Sequence, residues 1–81
     1  MSKKEIFKLL KDVVVEIIPD INPEQIKIEE SLKDLGANSV DRMDIVIRAM
    51  EVLDIKIPLV EFGEVNNIQG LVDLLYTKKV S

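Results

Sequence analysis

Neither cysteine nor histidine occurs in these 81 residues, and the two absences remove most self-contained chemistry. Without cysteine there is no disulfide framework and no thiolate nucleophile. Without histidine the usual general base is missing, and so are the nucleophile pairs that depend on it. A zinc site built from Cys and His is excluded as well. Aromatic residues make up 4% of the chain and tryptophan is absent. The core must therefore be Ile, Val, Leu and Met, with Phe7, Phe62 and Tyr76 as the only rings. No apolar run approaches the ~20 residues of a membrane span. Lys8, Lys11 and Asp12 interrupt what would be the apolar region of a signal peptide. The expectation is a soluble, cytoplasmic chain with no membrane partner. A net charge of -4 without clustered Lys and Arg argues against nucleic acid. Together the exclusions point to a protein that other proteins act upon.

What is present is an aliphatic, charged chain of the length of one small domain, residues 1–81. A chain this short buries only about 60% of its unfolded surface, so its packing has to be efficient. Ser2 with Glu5 forms a capping box, and Ile6, Leu9, Leu10, Val13 and Ile17 repeat at the spacing of one buried helix face. Pro19 stops that helix near Ile18. From Pro19 to Asn38 the pattern dissolves, but Ile21, Ile26, Ile28, Leu32 and Leu35 predict a long connection pinned to the core. Ser31 to Leu35 is predicted to form a helical turn, broken by Gly36. A second helix is predicted over Ser39 to Asp54. A short third follows Pro58 over Leu59 to Phe62, limited by Gly63. The last begins at an Asn66 or Asn67 cap, with Ile68, Leu71, Val72 and Leu75 inward and Lys78 and Lys79 at its C-terminal dipole. The predicted fold is all-α: a small four-helix bundle of three main helices and one short one, with a long loop between helices 1 and 2.

The start of the second helix, "LGANSVDRMDIV", admits two capping registers. With Ser39 as N-cap, Arg42 would fall at N3 and oppose the helix dipole. With Asn38 as N-cap, Asp41 falls at N3, where its charge suits the positive helix end. The second register is better, and it leaves the Ser39 hydroxyl unused at a position that favours an attached anion. Ser39 is then either a bland surface residue or a modification site whose base comes from a partner enzyme. Further along, Asp41, Asp44, Arg48 and Glu51 share one narrow side. Val40, Met43, Ile45, Val46, Ile47, Ala49, Met50, Val52 and Leu53 fill the rest, an arc wider than a small bundle needs. Either part of it is a docking strip, or the helix sinks deeply between its neighbours.

Read together, these residues resemble the acyl carrier proteins. "SLKDLGANSVDRMDIV" is similar to the family's attachment motif, "DIKIP" follows at its spacing, and "NNIQGLVDLL" is similar to its final helix. The resemblance covers nearly the whole chain. It implies a non-catalytic carrier in which Ser39 bears 4'-phosphopantetheine, donated from coenzyme A by a phosphopantetheinyl transferase. The arm's thiol then holds acyl groups as thioesters for partners such as an acyltransferase or ketosynthase, and a monomer suffices. The same resemblance implies that Val40, Asp41, Asp44, Ile47, Met50 and Glu51 face those partners. It puts Ile45, Val46, Ala49 and Leu53 on the core side, opposite Phe62, Val65, Ile68, Leu71 and Val72.

The chain also departs from the family pattern. Asn38 stands where aspartate is commoner, Val40 where leucine is commoner, and Arg42, Arg48 and Met50 dilute a helix that is strongly acidic in housekeeping carriers. Long-range attraction to basic partners should weaken and local apolar fit should matter more. The expectation is a freestanding bacterial carrier of a polyketide pathway, with the β-branching cassettes as a narrower reading. The alternatives are a fatty-acid carrier, an aminoacyl or D-alanyl carrier, and, in another class, an unmodified helical interaction module.

Overall fold

The computed structural model describes residues 2–65 and 67–80, with only the backbone of Glu64. It contains three α-helices, α1 (Lys3–Ile17), α2 (Ser39–Leu53) and α3 (Ile68–Val80), and two 3₁₀ segments, Pro23–Gln25 and Leu59–Glu64. Among the described residues there is no strand. No described helix is long and apolar enough to cross a membrane.

The α1 start forms as its sequence requires. Glu5 N–H donates to Ser2 Oγ at 3.2 Å, and Ser2 N–H donates to Glu5 Oε1 at 3.0 Å. Ile6, Leu10 and Val13 are buried as expected, whereas Leu9 and Ile17 are half-buried and Val14 takes a core position. The difference reflects a buried face centred slightly further round the helix, because α1 packs against both α2 and α3.

The connection between α1 and α2 is held at several points. Ile26, Leu32 and Ala37 are buried, and Ile21, Ile28 and Leu35 are half-buried against the core. Ala37 carried no periodic signal in the sequence. The turn expected over Ser31 to Leu35 is present: Leu35 N–H donates to Ser31 C=O at 3.2 Å and Asp34 N–H donates to Ser31 Oγ at 3.0 Å. Gly36 ends it at φ +97°, a backbone region that side chains rarely adopt. The 3₁₀ turn at Pro23–Gln25 carries an Asn22 cap, with Glu24 N–H donating to Asn22 Oδ1 at 3.0 Å.

This connection also completes α3. Ile68 N–H donates to Glu30 C=O at 2.8 Å and Gln69 N–H to Ile28 C=O at 2.7 Å. Backbone carbonyls of a distant segment thus satisfy donors that a helix start leaves without partners. Asn67 adds a side-chain cap, accepting from Gly70 N–H at 2.9 Å; the other expected cap, Asn66, lies outside the described residues.

Two further differences from the sequence reading have local causes. The short helix over Leu59 to Phe62 forms as a 3₁₀ segment and continues through Gly63 to Glu64. It is closed by Val65 N–H donating to Phe62 C=O at 3.1 Å. A glycine weakens a helix without forbidding helical dihedrals, and 3₁₀ bonding suits so short a piece. At the other end, Lys79 does not serve only its own helix terminus. Its Nζ donates to Leu53 C=O at 2.8 Å, capping the last turn of α2, while Lys78 pairs with Glu61 at 3.4 Å.

Candidate functional site

Asn38 is the N-cap of α2, with extended dihedrals, and its Oδ1 accepts from Asp41 N–H at 2.8 Å. This is the register that places Asp41 at N3 and Ser39 at the first helical position. Ser39 is exposed, and its hydroxyl makes no hydrogen bond among the described residues. The helix start is therefore complete without it, and the oxygen is open to an incoming electrophile.

Beside Ser39 lies a groove of about 510 Å³. It opens between α2 and α3, which make no backbone approach comparable to those of α1 with either helix, and the second 3₁₀ segment bounds it. Leu32, Met43, Val46, Leu59, Phe62 and Leu71 supply its apolar floor; Ser31, Lys33, Ser39, Arg42 and Asn67 are its polar lining residues. A free hydroxyl at the mouth of a mostly apolar groove fits a group tethered through that oxygen.

The α2 surface divides as follows. Ile45, Val46, Ala49 and Leu53 are buried. Val40 is 68% exposed, Met43 48% and Ile47 37%, so part of the apolar arc is left to solvent. Of the two readings of that arc, deep burial of the whole helix is therefore not what the structure shows. Asp44 and Glu51 are exposed and Asp41 half-exposed. Met50 is half-buried, because its Sδ accepts from Ile57 N–H at 3.3 Å and holds the chain leaving α2. Arg48 reaches Glu16 of α1 at 3.6 Å and Glu51 at 4.0 Å. Opposite, Ile68, Leu71 and Val72 are buried and Phe62 and Val65 half-buried.

The groove residues Lys33, Arg42, Met43 and Leu59 were not assigned to a site from the sequence. Met43 was visible as part of the wide apolar arc. Leu59, 44% exposed, follows Pro58 in a short segment too brief for periodicity to place.

The family profile described as "Phosphopantetheine attachment site" matches residues 8–75 of this chain. The chain belongs to this family of acyl carrier proteins. It is 38% identical over 78 residues to the polyketide biosynthesis acyl-carrier-protein AcpK of Bacillus subtilis, covering 96% of this chain and 95% of that protein. It is 36% identical over 75 residues to an acyl carrier protein of Wolinella succinogenes, covering 91% and 97%. Among solved structures it is similar to a chain in the crystal structure of the curacin biosynthetic pathway HMG synthase in complex with acetyl donor-ACP. That likeness has a TM-score of 0.80 at 36% identity and covers 94% of this chain and 96% of the other. The cofactor of this acyl carrier protein is phosphopantetheine, which supplies a thiol to a chain that has no cysteine of its own. Its attached form holds acyl groups as thioesters.

Proposed function

We propose that Ser39 is the attachment point of the 4'-phosphopantetheine arm. The observation that carries this reading is the free, exposed hydroxyl of Ser39, left idle by the Asn38 cap. In the modification Ser39 Oγ bonds to the phosphorus that bears the pantetheine of coenzyme A. The pyrophosphate bond breaks, the adenosine bisphosphate leaves, and a base on the transferase takes the hydroxyl proton. With neither histidine nor cysteine in the chain, the base belongs to the partner, and the carrier itself is not a catalyst.

The whole chain then acts as one carrier domain, a four-helix bundle with a long loop, working as a monomer in the cytoplasm. Val40, Asp41, Asp44, Ile47, Met50 and Glu51 form its partner face, to which the exposed Met43 and Leu59 are added. The pathway is polyketide biosynthesis, and the partner an enzyme of the HMG-synthase type that receives an acetyl group from the arm. Support for the pathway comes from the AcpK relative, and support for the partner from the curacin complex. Arg42 and Arg48 in an otherwise acidic helix fit a dedicated partner better than a succession of generic basic ones.

The test is intact-mass measurement after incubation with coenzyme A and a broad-specificity transferase. Wild type gains one phosphopantetheinyl group and Ser39→Ala gains none; addition to Ser39→Ala would overturn the assignment. Acetyl transfer from the loaded arm to an HMG synthase separates the β-branching role from fatty-acid elongation, which instead requires acceptance of malonyl groups and turnover by elongating enzymes.

A further inference from the structure

The groove beside Ser39 carries a charge pattern opposite to that of the molecule. The chain has 15 acidic residues against 11 basic ones, yet among the described residues lining the groove the charged ones are Lys33 and Arg42, with no Asp or Glu. Neither cation has an ion-pair or hydrogen-bond partner among the described residues. The chain's other arginine, Arg48, is exposed and engaged, with Glu16 at 3.6 Å. Arg42 is moreover half-buried and lines the groove.

We propose that Arg42 and Lys33 form a clasp for the phosphodiester that joins the arm to Ser39. This inference rests on the Ser39 assignment made above. Residues three apart on a helix are neighbours on its surface, which puts Arg42 beside the esterified oxygen. Lys33 approaches from the turn that precedes α2. A guanidinium offers phosphate paired parallel donors and an ammonium adds a point charge. Partial burial limits screening by salt. Of the anions the loaded protein could bring, the phosphodiester is held permanently at Ser39, beside the groove. A cargo carboxylate sits at the far end of a flexible arm. Gripping the phosphodiester fixes the root of the arm and its direction of departure over the apolar floor. Arg42 and Lys33 are thus positioning residues.

The experiment compares apo and holo protein, with holo formation verified by mass. Expected in holo wild type are a shift of the Arg42 Nε–Hε resonance relative to apo, and a 31P resonance displaced from that of the same protein unfolded in urea. The Arg42→Gln, Lys33→Gln double variant, checked for native helicity, should lose most of that displacement; Arg42→Lys, which keeps the charge, should retain part of it. Lys33→Gln alone provides the same reading should the double variant not fold. Added mass with a 31P signal indifferent to these substitutions overturns the clasp alone. No added mass overturns the Ser39 assignment, and the clasp with it. An Arg42 shift that appears only with a malonyl cargo and not with the free or acetylated arm reassigns the ligand to the cargo carboxylate and overturns the phosphodiester.

Discussion

At the scale of single residues, the site depends on a division of labour between Asn38 and Ser39. Asn38 Oδ1 accepts from Asp41 N–H at 2.8 Å, and that bond frees its neighbour. Removing it by Asn38→Ala should cost about 1 kcal/mol in urea unfolding, while Asn38→Asp keeps the cap. Ser39→Ala should change stability by no more than about 0.5 kcal/mol, since its hydroxyl holds nothing in place. If Ser39→Ala proved the costlier of the two, the capping register would be wrong. Electrostatics gives a second residue-scale prediction. Asp73 accepts from Lys3 at 3.0 Å and from Gln69 at 3.0 Å. Chiefly through Lys3, its carboxyl is held below the usual range. A depressed carboxyl stabilises the fold fully above the unfolded value, about 3.9, and that contribution is lost as pH falls through the lower folded value. Lys3→Met should therefore raise the NMR titration midpoint of Asp73 and make the acid-side loss of thermal stability less steep. Because both side chains are about half exposed, the effect on stability at neutral pH will be small.

At the scale of the element, α2 carries two sets of apolar side chains, one buried and one turned outward. Ile45, Ala49 and Leu53 have essentially no exposed surface, whereas Val40, Met43 and Ile47 face outward. Ile45→Ala should thus cost about 2–5 kcal/mol. Met43→Ala and Ile47→Ala should stay within about 0.5 kcal/mol of wild type in unfolding yet slow acyl transfer to the partner enzyme. Equal losses of stability across all three would mean that α2 has no free apolar strip. How α2 splits its apolar residues was only half legible in the sequence. Periodicity gave the charged side and an arc too wide for a core, but could not say which residues of the arc the neighbours would cover. That depends on where α1 and α3 lie, which is nonlocal. The same limit explains Val14 and Ala37, buried by packing with no local mark. It also explains the start of α3, whose first donors bond to carbonyls of Ile28 and Glu30 some forty residues earlier. The caps, by contrast, were readable, because Ser2–Glu5 and Asn38–Asp41 are interactions between residues three apart.

At the scale of the whole molecule, charge on the outer side of α2 is mixed in sign. The net charge is -4, but α2 sets Asp41, Asp44 and Glu51 against Arg42 and Arg48. Arg48 pairs with Glu51 as well as with Glu16 of α1, which offsets part of the acidic charge on the proposed partner face. Strong electrostatic steering raises association rates by about 10–10³-fold and fades steeply with salt. A face of mixed sign should gain far less. Stopped-flow association of the acyl-loaded carrier with an HMG synthase, the proposed partner, should accordingly slow by less than about tenfold as salt is raised across the range that abolishes steering. Over the same range Val40→Ala with Ile47→Ala should weaken binding mainly through faster dissociation, because the loss is of short-range apolar contact. A steep salt dependence in wild type, with little effect of the paired alanines, would place recognition in the acidic residues instead. It would make this carrier a generalist for basic partners and remove the physical reason for assigning it a dedicated one.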